Sequence, residues 1–316
     1  MARRSTTGGP NGFVVVDKPS GWTSHDVVAK SRGIHGTRKV GHSGTLDPMA
    51  TGVLVLGVGS GTKLLRFMSG LDKTYEARIH FGVETDTLDA EGRVVARHDM
   101  PAPTAQEVQR GADRLTGDLM QVPPMVSALK VGGRRLHELA REGKEVHREP
   151  RPVTVGRFST SPTRDSMEFS ALIDCSAGTY VRSLARDLGP ALGTVAHLDA
   201  LRREAAGPFT LADAHALAAI EETAARGEIA AILLPTGARL GLPVLRLDPA
   251  TATRIGHGQQ VALDAVPSGS MSDDQAWSEG GLAAAHDDGG DFLGVMRCLH
   301  RQDEGRWVWK AEKWLA

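Results

Sequence analysis

Two kinds of apolar pattern run along the chain. Phe13-Val14-Val15-Val16 is a continuous apolar run, and a run this short reads as a strand buried on both faces. Ala50, Val53, Leu54, Val55 and Leu56 form a second apolar run that would also be buried. Residues 74 to 81 alternate instead, with Tyr75, Ala77, Ile79 and Phe81 on one face and Thr74, Glu76, Arg78 and His80 on the other. That is a half-buried strand, and Met167, Phe169, Ala171, Ile173 and Cys175 repeat the pattern. Helix signals lie between these runs. Ser24 is an N-cap for a helix to about Arg32, and Thr104-Ala105-Gln106-Glu107 is a capping box for a helix to about Leu115. Another helix spans roughly Gly133 to Glu142 and stops at Gly143, and Thr179 caps one that carries Arg182, Leu184, Arg186 and Leu188. Strands and helices without a regular βαβ repeat predict an α+β domain on a mixed, mainly antiparallel sheet. After Leu240, Gly241-Leu242-Pro243 reads as a linker into strand-like flanks, Val244 to Leu263 and Phe292 to Leu315. These predict a small β-rich C-terminal domain over 241–316 with a flexible acidic insert at 266–290.

Composition adds bounds. A chain of 316 residues can bury a full core as one large domain or two. The basic, glycine-rich segment Met1 to Gly12 reads as a disordered tail, and the lack of a membrane span or secretory signal predicts a cytoplasmic protein. Cys175 and Cys298 are far apart in apolar settings, which predicts reduced core residues and neither a disulfide framework nor a zinc site. No histidine pairs with Cys or Glu at ligand spacing, so no metal is implied. The net charge of −1 looks wrong for a nucleic-acid binder, whose affinity comes largely from Lys and Arg. Residues 264 to 291, however, hold seven acidic side chains and no Lys or Arg, leaving the remainder at +6. Basic clusters stand at Arg38-Lys39, Arg134-Arg135, the pair Arg148 and Arg151, and Arg202-Arg203. Each alone reads as a solvated surface patch unless they share a face.

Chemistry concentrates at Gly44-Thr45-Leu46-Asp47-Pro48-Met49-Ala50-Thr51-Gly52. Gly44, Thr45 and Pro48 describe a tight turn that holds one carboxylate, Asp47, against the following apolar run. A partly desolvated acid needs a partner or its pKa rises. The plainer alternative is that Asp47 caps the segment after the turn.

Five ordered segments resemble the TruB type of pseudouridine synthase, enzymes acting on the T loop of tRNA. They are Asp17-Lys18-Pro19-Ser20-Gly21-Trp22-Thr23-Ser24, Gly41-His42-Ser43-Gly44-Thr45-Leu46-Asp47 and Lys73-Thr74-Tyr75, then the stretch from Gln121 to Lys130 and Gly178-Thr179-Tyr180-Val181-Arg182-Ser183-Leu184-Ala185. The resemblance covers most of residues 12 to 210 and implies the pseudouridine synthase fold, a curved mixed sheet with a long cleft. It also implies a C-terminal RNA-binding domain of the PUA type. Where the family has a tyrosine, this chain has His137, which bears on local packing.

By that resemblance Asp47 is the catalytic carboxylate, Arg182 the cation paired with it, and Tyr75 the aromatic that stacks on a flipped base. Tyr180 and Leu201 would be further pocket residues, and His42 would fill the gap left by the base. Lys18, Lys63 and Lys130 are candidates for phosphate contact or for supporting the site. Pseudouridine is an isomer of uridine, so the reaction needs no cofactor, in keeping with a chain that lacks a dinucleotide fingerprint and a Walker motif. A glycosidase usually uses two carboxylates where this signature offers one, which favours isomerisation over hydrolysis. The expected partner is the T arm of tRNA, position 55 in tRNA numbering, with no membrane, no obligatory protein partner and a monomeric chain. The rival readings are a tRNA-folding chaperone acting through binding alone and a pseudouridine synthase on another RNA.

Overall fold

The computed structural model describes residues 9–127, 129–237, 239–264, 277–302 and 305–316. Its centre is a ten-stranded sheet in the order Ala214–Ala216, Gly12–Lys18, Thr51–Val58, Ala196–Ala206, Lys73–Phe81, Glu168–Cys175, Arg151–Pro162, Gly117–Gln121. Val40–Ser43 adds to Thr51–Val58, and Phe209–Thr210 adds to Ala196–Ala206. Two pairings are parallel, Gly12–Lys18 with Ala214–Ala216 and Thr51–Val58 with Ala196–Ala206. The others are antiparallel, as the strand patterns predict.

The apolar runs are buried on both faces because both faces are covered. Val14, Val16, Leu54 and Leu56 face a core that includes Val27 and Val28 of α1 (Ser24–Ile34). Phe13, Val15, Val53 and Val55 face the opposite way, into a second cluster. The same first core takes Val108 of α3 (Ala105–Asp113, following the short α2, Leu65–Met68). It also takes Leu184 and Leu188 of α5 (Val181–Ala191, following α4, Leu136–Arg141) and Ile220 of α6 (Leu217–Ala225). The Lys73–Phe81 strand alternates between buried and exposed positions, and its outer face is charged: Arg78 pairs with Asp199 and Glu168.

The described residues between 244 and 316 form a separate five-stranded sheet in the order Val244–Leu247, Leu282–Asp287, Phe292–Arg301, Trp307–Trp314, Val261–Leu263, with α7 (Pro249–Gly256) alongside. It has its own core around Leu245, Ile255, Trp277 and Trp309. It also leans on the large sheet, since Val295 joins the second cluster and Leu282, Phe292 and Leu315 pack against it.

Several expectations need correction. The insert at 266–290 contains a strand, Leu282–Asp287, with Ala283, Ala284 and Ala285 buried; an alanine run without β-branched residues hid it, and residues 265–276 lie outside those described. The tail expected over 1–12 ends sooner, because Asn11 Oδ1 accepts from Ser60 N at 2.7 Å and Gly12 opens a strand. Thr23, not Ser24, caps α1 through a capping box with Asp26. Tyr180, not Thr179, holds the N-cap position of α5, with no side-chain cap bond. The helix read from Gly133 is shorter, since Arg134–Arg135 pair with Lys130–Val131 before α4 begins. The side chain of His137 lies outside those described. Among the described residues, no helix is long and apolar enough to cross a membrane and no cluster has the makings of a metal site, and both cysteines are free and buried.

Candidate active site

Asp47 sits on the turn between the Val40–Ser43 and Thr51–Val58 strands, held by backbone and side-chain ties from three directions. Gly44 has φ 78°, the left-handed region that glycine tolerates, and this opens the turn. Ser24 Oγ, buried at the start of α1, accepts from Leu46 N at 2.9 Å and donates to Leu46 O at 3.2 Å. Gly21 N donates to Pro48 O at 2.9 Å. Lys18, wholly buried, donates to Pro19 O at 2.9 Å, to Trp22 O at 2.6 Å and to Pro48 O at 3.1 Å. Burial lowers the Lys18 pKa to about 8, opposed by the nearby Asp47 carboxylate.

Arg182 meets Asp47 from the first turn of α5. Its Nε donates to Asp47 Oδ2 and its Nη2 to Asp47 Oδ1, both at 2.9 Å, the two parallel bonds a guanidinium makes and an ammonium cannot. The remaining donors reach Thr87 O at 2.9 Å and Val126 O at 2.8 Å, and Nη1 lies 3.5 Å from Asp89 Oδ2. Arg182 is 2% exposed, so its charge is acceptable only because every side of the guanidinium is met. The start of α5 is fixed in turn by Gln121, whose side chain accepts from Tyr180 N at 2.8 Å and donates to Tyr180 O at 3.2 Å. Ser183 Oγ adds a bond to Val122 O at 3.1 Å.

Above this pair opens a cleft of about 240 Å³, lined by Asp47, Tyr75, Tyr180, Arg182 and Leu201, with Lys73 and Arg203 among its other walls. Burial raises the Tyr75 phenol above its ordinary pKa, against the opposing charge of Arg203, so the ring is neutral at physiological pH.

Five of the expected site residues therefore converge: Asp47, Arg182, Tyr75, Tyr180 and Leu201. His42 lies on the strand leading into the turn, its ring 5.5 Å from that of His25, and does not line the cleft. Lys18 supports the Asp47 turn and is too deeply buried to meet a phosphate. Lys63 is exposed on the 3-10 turn Gly59–Lys63, away from the cleft walls. Lys130 contributes a backbone pairing with Arg135, and its side chain lies outside those described.

Arg203 was misread as part of a surface patch. It is 1% exposed, with Nε donating to Val53 O at 2.6 Å and Nη2 to Gly44 O at 3.0 Å. Strand alternation carries the signal that separates it from Arg202: Arg203 shares a face with Leu201, while Arg202 points away to Asp17 at 2.9 Å. Gly52 makes room for this strand, since a Cβ there would lie 2.3 Å from Arg203 O. Asp89 is a further residue at the site that no local pattern marks, whereas Lys73 and Gln121 stand in segments that carry the resemblance without a role assigned to them there. One arginine in each of two other basic clusters is locally engaged, Arg134 with Glu142 and Arg148 with Glu145 and Pro123 O.

Residues 32–181 match the model of the TruB family pseudouridylate synthase N-terminal domain, and residues 182–240 that of the tRNA pseudouridylate synthase B C-terminal domain. The boundary between the two falls inside α5, and the large sheet spans both. A protein from Arthrobacter sp. (strain FB24) named tRNA pseudouridine synthase B is 44% identical over 293 residues, covering 89% of this chain and 94% of that protein. Proteins of the same name from Thermobifida fusca (strain YX) and Corynebacterium aurimucosum are 46% and 54% identical, covering 80% and 67% of this chain and 87% and 73% of their own lengths. Among solved structures, a Cbf5-Nop10-Gar1 complex contains a chain of the same fold, with TM-score 0.74 and 23% identity over 96% of this chain and 85% of that one. The chain belongs to the TruB family of pseudouridylate synthases.

Proposed function

We propose that the pseudouridine synthase reaction of this chain falls on a uridine in the T loop of tRNA, position 55, turned out of its stack into the cleft. The observation that carries this reading is the bidentate Arg182–Asp47 pair at the base of a cleft walled by Tyr75 and Leu201. Unstacking a base costs a few kcal/mol, and an aromatic and an aliphatic wall offset that cost.

Asp47 is the reacting carboxylate in this reading. The bond from N1 of uracil to C1′ of ribose breaks, the base turns, and C5 joins C1′ while the proton on C5 is lost and N1 gains one. Positive charge developing at the sugar is stabilised by a carboxylate held in one orientation toward it, which is the state a bidentate guanidinium clamp maintains. Arg182 keeps Asp47 in that state, and Tyr75, Tyr180 and Leu201 hold the base. Residues 241–316 supply a second RNA contact. The chain acts as a monomer and without an obligatory protein partner.

The test is purified protein with unmodified tRNA transcript, scoring pseudouridine at the T-loop position. Wild type is expected to form product, and Asp47→Asn to lose it by about three orders of magnitude while tRNA binding stays within a few fold. Product elsewhere in the tRNA would refute the T-loop assignment. Equal activity in Asp47→Asn would remove Asp47 from the chemistry.

A further inference from the structure

The segment from Leu64 to Lys73 is gripped from two sides. On one side stands the C-terminal domain. Arg66 Nη2 donates to Glu312 Oε1 at 2.8 Å and to the Glu312 carbonyl at 3.1 Å, and Arg297 Nε donates to the other carboxylate oxygen at 2.8 Å. Leu64 and Met68 are buried in the same cluster as Val295, against which Leu71, Phe292 and Leu315 pack. Leu71 is wedged between Gly207, in the turn between the Ala196–Ala206 and Phe209–Thr210 strands, and Gly241 of the interdomain linker; a Cβ added at either would lie 2.5 Å and 3.3 Å, respectively, from its methyl carbons. On the other side stands the cleft. Ser69 O accepts from Lys73 Nζ at 3.0 Å, Leu71 O accepts from the same ammonium, and Ser69 and Lys73 both line the cleft with Asp47 and Tyr75. An ammonium has three donors, and these carbonyls take two. Any movement of the segment therefore moves the charge.

We propose that the C-terminal domain sets the position of the Lys73 ammonium in the uridine cleft, with Glu312 and Arg66 as positioning residues acting through the carbonyls of Ser69 and Leu71. Lys73 then meets an electronegative oxygen of the nucleotide. The inference rests on the reading that this cleft takes a uridine. An isolated exposed ion pair would be too weak for the task. Glu312 differs because its side chain is 17% exposed, it engages two guanidiniums, and the segment it holds is also tied to the C-terminal domain by the cluster that joins Leu64 and Met68 to Val295.

The experiment measures single-turnover pseudouridine formation and tRNA affinity for full-length Glu312→Ala, Lys73→Met and the double variant. Glu312→Ala is expected to slow the step about fivefold with affinity changed less than about twofold, and to add nothing in the Lys73→Met background, the non-additivity of residues acting in series. Amide exchange over residues 65–73 is expected to quicken in Glu312→Ala, a readout independent of activity. Additive losses, or an unchanged rate with unchanged exchange, would overturn the proposal. Should Glu312→Ala fail to fold, Arg66→Ala breaks the contact from the catalytic side under the same cycle. Wild type forming no product on tRNA would refute the tRNA assignment alone, and the exchange comparison would still decide the coupling.

Discussion

At the scale of single residues, His42 shows what burial does to a titratable group beside the Asp47 turn. Burial, the neighbouring His25 and the charge of Arg203 lower its pKa from 6.5 to about 4. A histidine that stays neutral in the fold takes up its proton first when unfolded, so folding stability falls as pH drops from about 6.5 to about 4. His35, lowered by burial, adds a contribution of the same sign. His42→Asn is therefore expected to flatten, without abolishing, the decline in urea midpoint across that window, and an unchanged slope would refute the assignment. The charged centre itself was legible only in part. Turn chemistry marks Asp47, but its partner lies 135 residues away, and nothing in local spacing joins the two. The resemblance did. Arg203 was readable from alternation alone, and so was the shared strand face of Lys73 and Tyr75, whereas Asp89 is at the site only because the chain returns to it.

At the scale of elements, the start of α1 serves the turn beside it. Ser24 is buried and its hydroxyl engages both the N–H and the carbonyl of Leu46, so the helix carries the residue before Asp47 as a splint. Ser24→Ala leaves that buried backbone pair unpartnered, at a cost of about 1–3 kcal/mol. The expected outcome is a lower melting temperature together with a fall in turnover larger than the fall in tRNA affinity; loss of stability alone would refute the link to the turn. The capping signal at Thr23–Asp26 and the alternation in Lys73–Phe81 were readable because each is set by neighbours in sequence. The strand at Leu282–Asp287 was not, since its β conformation comes from flanking strands, and its alanines lie buried between them.

At the scale of the whole molecule, a net charge of −1 coexists with a nucleic-acid substrate because seven acids are gathered between residues 264 and 291. Binding led by phosphate contacts predicts a tRNA affinity that falls at least about tenfold between about 50 and about 200 mM salt; a flat response would contradict it. The general α+β class and the β-rich C-terminal domain were legible from pattern. The apolar seam between the two sheets was not, because continuous apolar runs say that both faces are covered and not by what. The parallel pairing of Thr51–Val58 with Ala196–Ala206 also bears on how the protein is made. Contacts so far apart in sequence close late and slowly, and both guanidiniums of the cleft belong to the later part of the chain. A chain cut short before α5 thus carries Asp47 without Arg182 or Arg203, and the cleft gains both guanidiniums only once translation has passed Ala196–Ala206.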